Sequence, residues 1–313
     1  MDTSDKFVLA PLAGYTDKAF RSICIKEGAD LTVTEMVSAE GLARDSEKTK
    51  ELLERADGEN RLVVQLFAPD EDPISRCIPN LMKYNPTSID INAGCPVPKV
   101  VRNGSGSALM QNPDKITKIV NVLVSETGLP VSVKFRLGWD NDSINYLEFA
   151  EAALKGGASS LTLHSRTRSQ LYSGNADRKS FKILSQHFKN DAVLYASGDI
   201  FTPEDALFIL EECGMDGIMF ARGAIGNPFI FKNTKELIMN GKYRAPSNDE
   251  KLEIAIKHFD LMVKYYGETL AGREMRKHMM AYLKGIEGSS RVKAKLTKAL
   301  TRADYMDALS LLF

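Results

Sequence analysis

The stretch Ser88–Met110, SIDINAGCPVPKVVRNGSGSALM, begins as an apolar strand and ends as a glycine-rich loop. The strand covers residues 88–92, and the loop continues through 103–107 before helix signals resume at residue 112. A strand that ends in a polar residue and a long loop is typical of the active-site end of an α/β barrel. Cys95 follows a glycine in this loop, so its thiol could face a substrate, although unpaired cysteines are also among the most buried residues.

Length and composition indicate an ordinary globular protein. The chain has 313 residues, 43% hydrophobic and 26% charged, which is enough for one large barrel and a small second domain. No run approaches the length of about 18 apolar residues that spans a membrane. The four cysteines are far apart and form no CxxC pair, so we expect neither a metal site nor disulfides, and a cytoplasmic location.

The net charge is zero, but it is unevenly distributed. Residues 242–313 contain 14 basic and 9 acidic side chains, and within residues 273–302 there are 9 basic and 2 acidic ones. A basic end on a weakly acidic body favours a polyanionic partner. From charge alone, a solvated helical face is equally compatible.

Apolar, β-branched runs recur along the first 220 residues and alternate with amphipathic stretches. Eight strands are predicted, at residues 7–10, 31–34, 62–66, 88–92, 131–135, 160–164, 193–196 and 217–220. The intervening stretches 113–127 and 202–213 have helical apolar spacing and begin with a capping residue followed by proline. Eight strand–helix units predict a (β/α)8 TIM barrel, closing near residue 232, because a doubly wound sheet would not need eight even repeats.

Turn-forming residues at 240–241 and 245–249 follow the barrel pattern. Three helices are predicted after them, at 249–266, 272–284 and 293–312. The sequence thus predicts a barrel domain over residues 1–241, followed by a small, basic, all-helical domain over 242–313.

Polar side chains occur where the predicted strands end, which is where a barrel builds its site. The candidates are Pro11, Leu12, Ala13, Gln65, Asn92, Lys134, Arg136, His164, Arg166, Ser197, Gly198, Asp199, Ala221 and Arg222. Buried Lys, Gln and His are costly unless paired, so their convergence favours a polar, anionic ligand. Glycines after strands seven and eight suit a phosphate, and Arg222 adds a cation there. With Lys134 near a ring, the pattern indicates an FMN site.

Six segments together resemble the bacterial tRNA-dihydrouridine synthases. They are 10–17 (APLAGYTD), 90–96 (DINAGCP), 134–136 (KFR), 164–167 (HSRT), 197–200 (SGDI) and 222–224 (RGA). The resemblance covers nearly the full length, because residues 273–278 (REMRKH) match a basic helix in the family's C-terminal domain. The sequence departs from the family pattern at Ser165, Ser197, Ala221 and Ala281.

The resemblance implies a flavin enzyme that acts on tRNA with NADPH or NADH as reductant. A flipped uridine would receive a hydride at C6 from N5 of reduced FMN, while the neutral thiol of Cys95 protonates C5. The residues implied in binding FMN are Pro11, Leu12, Ala13, Gln65, Lys134, His164, Ser197, Gly198, Asp199, Ala221 and Arg222. Those implied in binding the substrate are Asn92, Arg136, Arg166, Arg273, Arg276 and Lys277. His164 and Arg166 would neutralise developing charge or hold the phosphate side of the flavin.

Two other functions remain open at this point. A small-molecule flavin dehydrogenase of the dihydroorotate or dihydropyrimidine type would have a similar barrel, but would have no use for a strongly basic helical end. An RNA-binding protein without catalysis would not need the residues at the barrel mouth. We expect a monomer with tRNA and a nicotinamide as partners, and no contact with a membrane.

Overall fold

The structure is a computed structural model, and it describes residues 4–312. Its strands form one sheet in which every pairing between strands is parallel. The strands are β1 (Phe7–Leu9), β2 (Leu31–Thr32), β3 (Val37–Ser38), β4 (Val63–Phe67), β5 (Ser88–Ala93), β6 (Val131–Arg136), β7 (Ser160–His164), β8 (Val193–Ser197) and β9 (Gly217–Phe220).

The sheet closes on itself. Its strand order is β2-β1-β9-β8-β7-β6-β5-β4-β3. Val33, directly after β2, bridges Val63 of β4, and the Thr34 N–H donates to the Val63 carbonyl at 3.0 Å. The second and third barrel strands are therefore neighbours, which confirms the TIM barrel and its eight predicted strands. Strand β3 was not predicted; it is a two-residue extension that pairs with the end of β4.

Alternate residues of each strand face opposite sides of the barrel wall. In β1, Phe7 and Leu9 belong to the core beneath the outer helices, whereas Val8 belongs to a small core inside the barrel. Tyr195 fills that interior, and Gly217 makes room for it, because a Cβ at residue 217 would lie 2.5 Å from the tyrosine ring. On β5, β6 and β7 the residues that alternate with the outer core are polar. This polar half of the interior leads to the carboxyl ends of the strands.

Helices cover the outside of the barrel. They are α1 (Lys18–Lys26), α2 (Ala39–Ala43), α3 (Glu47–Lys50), α4 (Glu71–Met82), α5 (Pro98–Val101), α6 (Pro113–Thr127), α7 (Tyr146–Lys155), α8 (Arg178–Phe188), α9 (Pro203–Cys213) and α10 (Ile230–Asn240). Helix α6 has its predicted bounds and ends at Gly128, whose φ of 66° suits a glycine. Helix α9 begins with a capping box between Thr202 and Asp205. The barrel closes slightly later than expected, since α10 runs to residue 240.

In the described residues, four α-helices follow the barrel: α11 (Asn248–Tyr266), α12 (Glu268–Tyr282), α13 (Ser289–Leu296) and α14 (Arg302–Leu309). The prediction of one helix over 293–312 was wrong, because Thr301 caps a new helix with Asp304. A second hydrophobic core joins these helices to Ala19 and Ile23 of α1 and to Phe229. The division into two domains at residue 241 stays a prediction. No helix among residues 4–312 is long and apolar enough to cross a lipid bilayer.

Candidate active site at the carboxyl end of the barrel

A cavity of about 470 Å³ opens where the strands end. Most of the residues predicted for the site line it: Pro11, Leu12, Ala13, Asn92, Cys95, Lys134, Arg136, His164, Ser197, Gly198, Asp199, Ala221 and Arg222. They come from β5, β6, β7 and β8 and from the segments after β1, β5, β8 and β9. The carboxyl ends of parallel strands meet at one edge, so residues far apart in sequence share one volume. Its size suits a ligand of cofactor dimensions.

Cys95 is held in the cavity wall by its backbone. Its N–H donates to Asn92 Oδ1 at 2.9 Å, and its carbonyl accepts from the N–H and the hydroxyl of Ser107, each at 3.0 Å. Gly106 permits this close approach, because a Cβ there would lie 2.7 Å from the Cys95 carbonyl oxygen. Burial raises the pKa of the Cys95 thiol, which outweighs the opposing effect of Arg136 and Lys134. The thiol is therefore protonated at neutral pH.

Two cations of β6 face the same cavity. Burial and, to a smaller extent, the positive charge of Arg136 together lower the pKa of Lys134 to about 8. Arg136 Nε donates to the Gly94 carbonyl at 2.7 Å, and its Nη1 donates to the carbonyls of Thr167 and Leu171. Arg136 thus ties the Cys95 loop to the loop after β7. Its two Nη2 protons have no hydrogen-bond partner among residues 4–312, and the guanidinium carbon lies 5.8 Å from the centre of the Tyr172 ring.

His164 lines the cavity at the end of β7. Its imidazole is 8% exposed, and Nδ1 has no hydrogen-bond partner in the described chain. Burial holds its pKa well below the usual value, and Lys134, Arg136, Arg166 and Arg222 add to the effect. The two roles expected of His164, to neutralise developing charge or to hold the phosphate side of the flavin, stay predictions. The lowered pKa favours the neutral ring, which can donate or accept a hydrogen bond.

Arg166 does not reach the cavity, in contrast to the prediction that it binds substrate. It is 1% exposed, pairs with Asp199, and donates to the carbonyls of Ser173 and Gly174. Asp199 also accepts from Arg222 Nη2 at 2.8 Å, so the cation of Arg222 is partly neutralised. The Asp199 carboxylate lies between the two guanidinium groups. It therefore holds Arg166 outside the cavity and also reduces the positive charge at Arg222.

Gln65 also lies outside the cavity lining and is fully buried beneath it. Its Nε2 donates to Asp90 at 2.7 Å, and its Oε1 accepts from Asn92 Nδ2 at 2.8 Å. Asn92 lines the cavity, but its amide is occupied by Gln65 and by the N–H groups of Gly94 and Cys95. Both side chains therefore use their amide groups for hydrogen bonds within the protein.

The three basic residues proposed for RNA contact lie on α12. Lys277 pairs with Glu274, and its Nζ lies 5.4 Å from the ring centre of Tyr15, which lines the cavity. Arg276 donates to the carbonyls of Gly272 and Thr297. Arg273 is exposed. The helix thus lies beside the cavity mouth, and none of the three lines the cavity itself.

Two aromatic residues at the mouth were missed. Tyr172 and Phe201 line the cavity and are 51% and 46% exposed. Arg222 Cζ lies 4.6 Å from the centre of the Tyr172 ring and 5.4 Å from that of Phe201. Both residues follow strands on loops, outside the strand ends that we considered. In the sequence, the feature that could have identified them is an exposed-type aromatic residue within a polar loop.

The polar atoms of the cavity suit a flavin phosphate and ring. Two atoms of cavity-lining residues, the Ser197 hydroxyl and the Nδ1 of His164, are buried without a hydrogen-bond partner in the described residues. Gly198 has φ 119°, and a Cβ at Gly223 would lie 2.2 Å from the Ile200 carbonyl oxygen. These glycines leave backbone accessible beside Arg222, as phosphate binding requires. Both the cradle and the unpartnered donors fit FMN.

Comparisons with a family model and with individual proteins both identify dihydrouridine synthases as similar to this chain. The model of the family described as dihydrouridine synthase matches residues 8–311. A probable tRNA-dihydrouridine synthase from Treponema pallidum is 38% identical over 304 residues, covering 95% of this chain and 89% of that protein. A tRNA-dihydrouridine synthase B from Pasteurella multocida is 37% identical, covering 90% and 85%, and one from Shewanella oneidensis is 35% identical, covering 89% and 86%.

Proposed function

The chain belongs to the dihydrouridine synthase family, and on this premise we propose that it reduces uridines in tRNA to 5,6-dihydrouridine. We infer that it uses FMN as cofactor and NADPH or NADH as reductant, and that it acts as a monomer in the cytoplasm. The observation that carries the proposal is a protonated thiol and two cations in one cavity: Cys95, Lys134 and Arg136. This set can donate one proton to a base while binding its carbonyl oxygens.

FMN would be held by residues on three sides of the cavity. Lys134 and the neutral His164 would contact the ring system, and Pro11–Ala13 would pack against it with little side-chain bulk. The backbone at Gly198 and Gly223, with Arg222, would receive the phosphate. When bound and reduced by the nicotinamide, FMN supplies the hydride that C6 of the uracil accepts.

The chain's own contribution to the chemistry is the proton and the orientation of the base. Cys95 would donate its proton to C5, since a thiol whose pKa is raised by burial stays protonated until the transfer. The thiolate left behind would be stabilised by Lys134 and Arg136. The free Nη2 protons of Arg136 would bind a uracil carbonyl and fix the ring against the thiol.

The uridine must leave its stack to enter the cavity. Helix α12 lies beside the mouth, and its basic residues would bind the RNA backbone without reading sequence. Asn92 was predicted to bind the substrate. In this proposal its main role would instead be to orient the Cys95 loop through its hydrogen bond to the Cys95 N–H.

The test is a three-part assay on purified protein. The proposal expects bound FMN at one per chain, reoxidation of the reduced flavin by unmodified tRNA transcript, and dihydrouridine in that transcript by mass spectrometry. Uracil and orotate serve as controls for the small-molecule dehydrogenase. Turnover of either free base at the rate seen with tRNA would contradict the proposal, as would protein that takes up no flavin or takes up FAD instead.

A further inference from the structure

Around the cavity mouth, large apolar side chains project into solvent from three loops. Val97 follows β5, Leu171 and Tyr172 follow β7, and Phe201 follows β8. Each of these four side chains is between 46% and 51% exposed. Three of them line the cavity, and Leu171 is the chain neighbour of Tyr172. Exposed apolar side chains that cluster at one place mark a surface for a partner, and we call these four residues the apolar rim.

The loop after β7 holds Leu171 in a strained conformation. Leu171 has φ 52°, in the left-handed region that bulky side chains rarely adopt. Its carbonyl accepts from Arg136 Nη1 at 3.1 Å, and Arg166 donates to the carbonyls of Ser173 and Gly174. Both arginines are buried, so the loop is fixed from beneath while the Leu171 side chain stays half exposed. Backbone strain that the surrounding structure maintains in this way is concentrated at functional sites.

The chemistry of the rim favours the flat faces of nucleobases. Arg222 Cζ lies 4.6 Å from the centre of the Tyr172 ring and 5.4 Å from that of Phe201, so a guanidinium group and two aromatic rings lie together at the mouth. Unpaired RNA bases stack on aromatic rings and on guanidinium planes. The basic helix α12 reaches the mouth at a different place, beside Tyr15 after β1. An RNA strand across the mouth would therefore meet cations on one side and apolar groups on the other.

We propose that the apolar rim packs against the unpaired RNA bases next to the reacting uridine. The inference rests on the proposed function, because it concerns the substrate of the same site. A uridine that enters the cavity loses its contacts with its neighbours in the stack. Leu171 and Val97 replace those contacts with apolar contacts from the protein, as apolar wedges do between base steps. The rim thereby favours the flipped-out uridine, while α12 binds the RNA backbone.

Leu171→Asn tests this contact without disturbing the loop. Asn is similar to Leu in size, is polar, and adopts the left-handed region readily, so the turn and its hydrogen bond to Arg136 should persist. The FMN-loaded variant should be reduced by the nicotinamide within about twofold of the parent rate, because Leu171 does not line the cavity. Its reoxidation at saturating tRNA should slow by roughly tenfold. Its Kd for tRNA in filter binding should stay within about threefold, since phosphate contacts dominate affinity.

Two further variants serve as controls. Leu171→Met keeps an apolar side chain at the same position and should react with tRNA near the parent rate. Met239 on α10 is 74% exposed, and its neighbour Ile238 lines a second cavity with Lys6 and Asp216, at the end of the barrel opposite the mouth. Met239→Asn makes the same apolar-to-polar change there and should leave both rates within about twofold of the parent.

Photo-cross-linking gives a measurement that does not depend on turnover. With p-benzoylphenylalanine introduced at position 171, irradiation of the complex should attach the protein to the transcript. Reverse-transcription stops should map the attachment to unpaired nucleotides beside the uridine that is reduced. The same group at position 239 should give no attachment.

The inference is overturned if Leu171→Asn reoxidises with tRNA at the parent rate, or if Leu171→Met or Met239→Asn slows that step equally. It is also overturned if Leu171→Asn slows reduction by the nicotinamide instead, because the rim would then serve the cosubstrate. If the parent protein does not react with tRNA at all, the proposed function fails. Cross-linking then still decides whether the rim binds unpaired bases: attachment at position 171 to paired nucleotides, or none at all, would refute it.

Discussion

At the scale of single residues, burial separates the four cysteines. Cys24 and Cys77 are fully buried and Cys213 is 6% exposed, whereas Cys95 is partly exposed and lines the cavity. The three buried thiols lie in the core beneath the outer helices, where they pack as small apolar side chains. A thiol that donates a proton must reach its substrate, so Cys95 is the cysteine that we propose as the proton donor.

We predict that Cys95→Ala separates the two halves of the reaction. The change removes one small side chain from a loop, so the protein should fold and retain FMN. Reduction of the flavin by the nicotinamide should be unchanged, while its reoxidation by tRNA should slow by roughly 10²-fold or more, the scale of a lost general acid. Rapid-mixing absorbance of the flavin band measures both steps.

Cys213→Ala is the matched control and should reoxidise close to the parent rate. Cys95→Ser should be nearly as slow as Cys95→Ala, because a hydroxyl is a far weaker acid than a thiol. Reoxidation of Cys95→Ala at the parent rate would remove the thiol from the mechanism and leave Lys134 as the candidate proton donor.

At the scale of elements, α12 has two distinct faces. Met275, His278, Met279 and Tyr282 are buried against the second core, while Arg273, Arg276 and Lys277 lie on the sides left outside it. The structure also shows that two of these cations have partners within the chain: Glu274 for Lys277, and backbone carbonyls for Arg276. A phosphate could share these donors, because surface ion pairs contribute little and exchange readily.

We predict that changing Arg273, Arg276 and Lys277 together to Ala weakens tRNA binding and flattens its salt dependence. Each lost phosphate contact should reduce the slope of log K against log salt by about 0.7 to 0.9. Filter binding across a salt series gives the slope, and oxidation of NADPH without RNA should be nearly unchanged.

Lys251, Lys257 and Lys264 on α11 provide a control with the same number of charges removed. Their triple Ala variant should retain the parent slope. If both triple variants lose affinity for tRNA equally, the effect comes from the net charge of the protein, and α12 is not a specific RNA-binding surface. An unchanged slope in the α12 variant would mean that this face is only solvated.

At the scale of the whole molecule, an aromatic cluster joins the barrel to the helices that follow it. Phe20 of α1 stacks on His258 of α11 with ring centres 5.4 Å apart, and His278 of α12 lies 4.5 Å from His258. Both nitrogens of His278 and the Nε2 of His258 are buried without a hydrogen-bond partner in the described part of the chain. Burial lowers the pKa of His258 to about 3 and holds that of His278 well below its usual value.

We predict that this junction makes the protein sensitive to acid. The unfolded chain binds protons at these histidines near pH 6.5 while the folded chain does not, so stability falls as pH drops below 6.5. Each histidine contributes a slope of up to about 1.4 kcal/mol per pH unit. His278→Phe should therefore lose about 2 kcal/mol less than the parent between pH 7 and pH 5, in the free energy of unfolding by urea.

His187→Phe is the control, because His187 is exposed on α8. Its unfolding free energy should depend on pH as that of the parent does. Asp90 and the other carboxyl groups with raised pKa values are present in all three proteins, so their opposing contribution cancels from the comparison. Equal pH dependence in His278→Phe and the parent would show that the junction histidines do not couple to folding.

The sequence by itself determined the elements and the position of the site. The eight barrel strands, the bounds of α6 and the starts of α9 and α11 depend on period, capping and turn residues, which are local in sequence. Cys95 and the strand-end residues were found by the same means, because a barrel places every strand end at one face. The last helix was mispredicted, since the apolar pattern continues across Thr301 and only the capping bonds interrupt it.

Only the tertiary structure decided which polar residues reach the cavity and in what charge state. Asp199 pairs with Arg166 outside the cavity lining and partly neutralises Arg222, and Gln65 donates to Asp90 instead of lining the cavity. Burial and four nearby cations lower the pKa of His164, and burial raises the pKa of the Cys95 thiol against the opposing effect of Arg136 and Lys134. These outcomes depend on distances between side chains that come from different strands, and on how much water each side chain loses. Neither quantity is encoded in local periodicity.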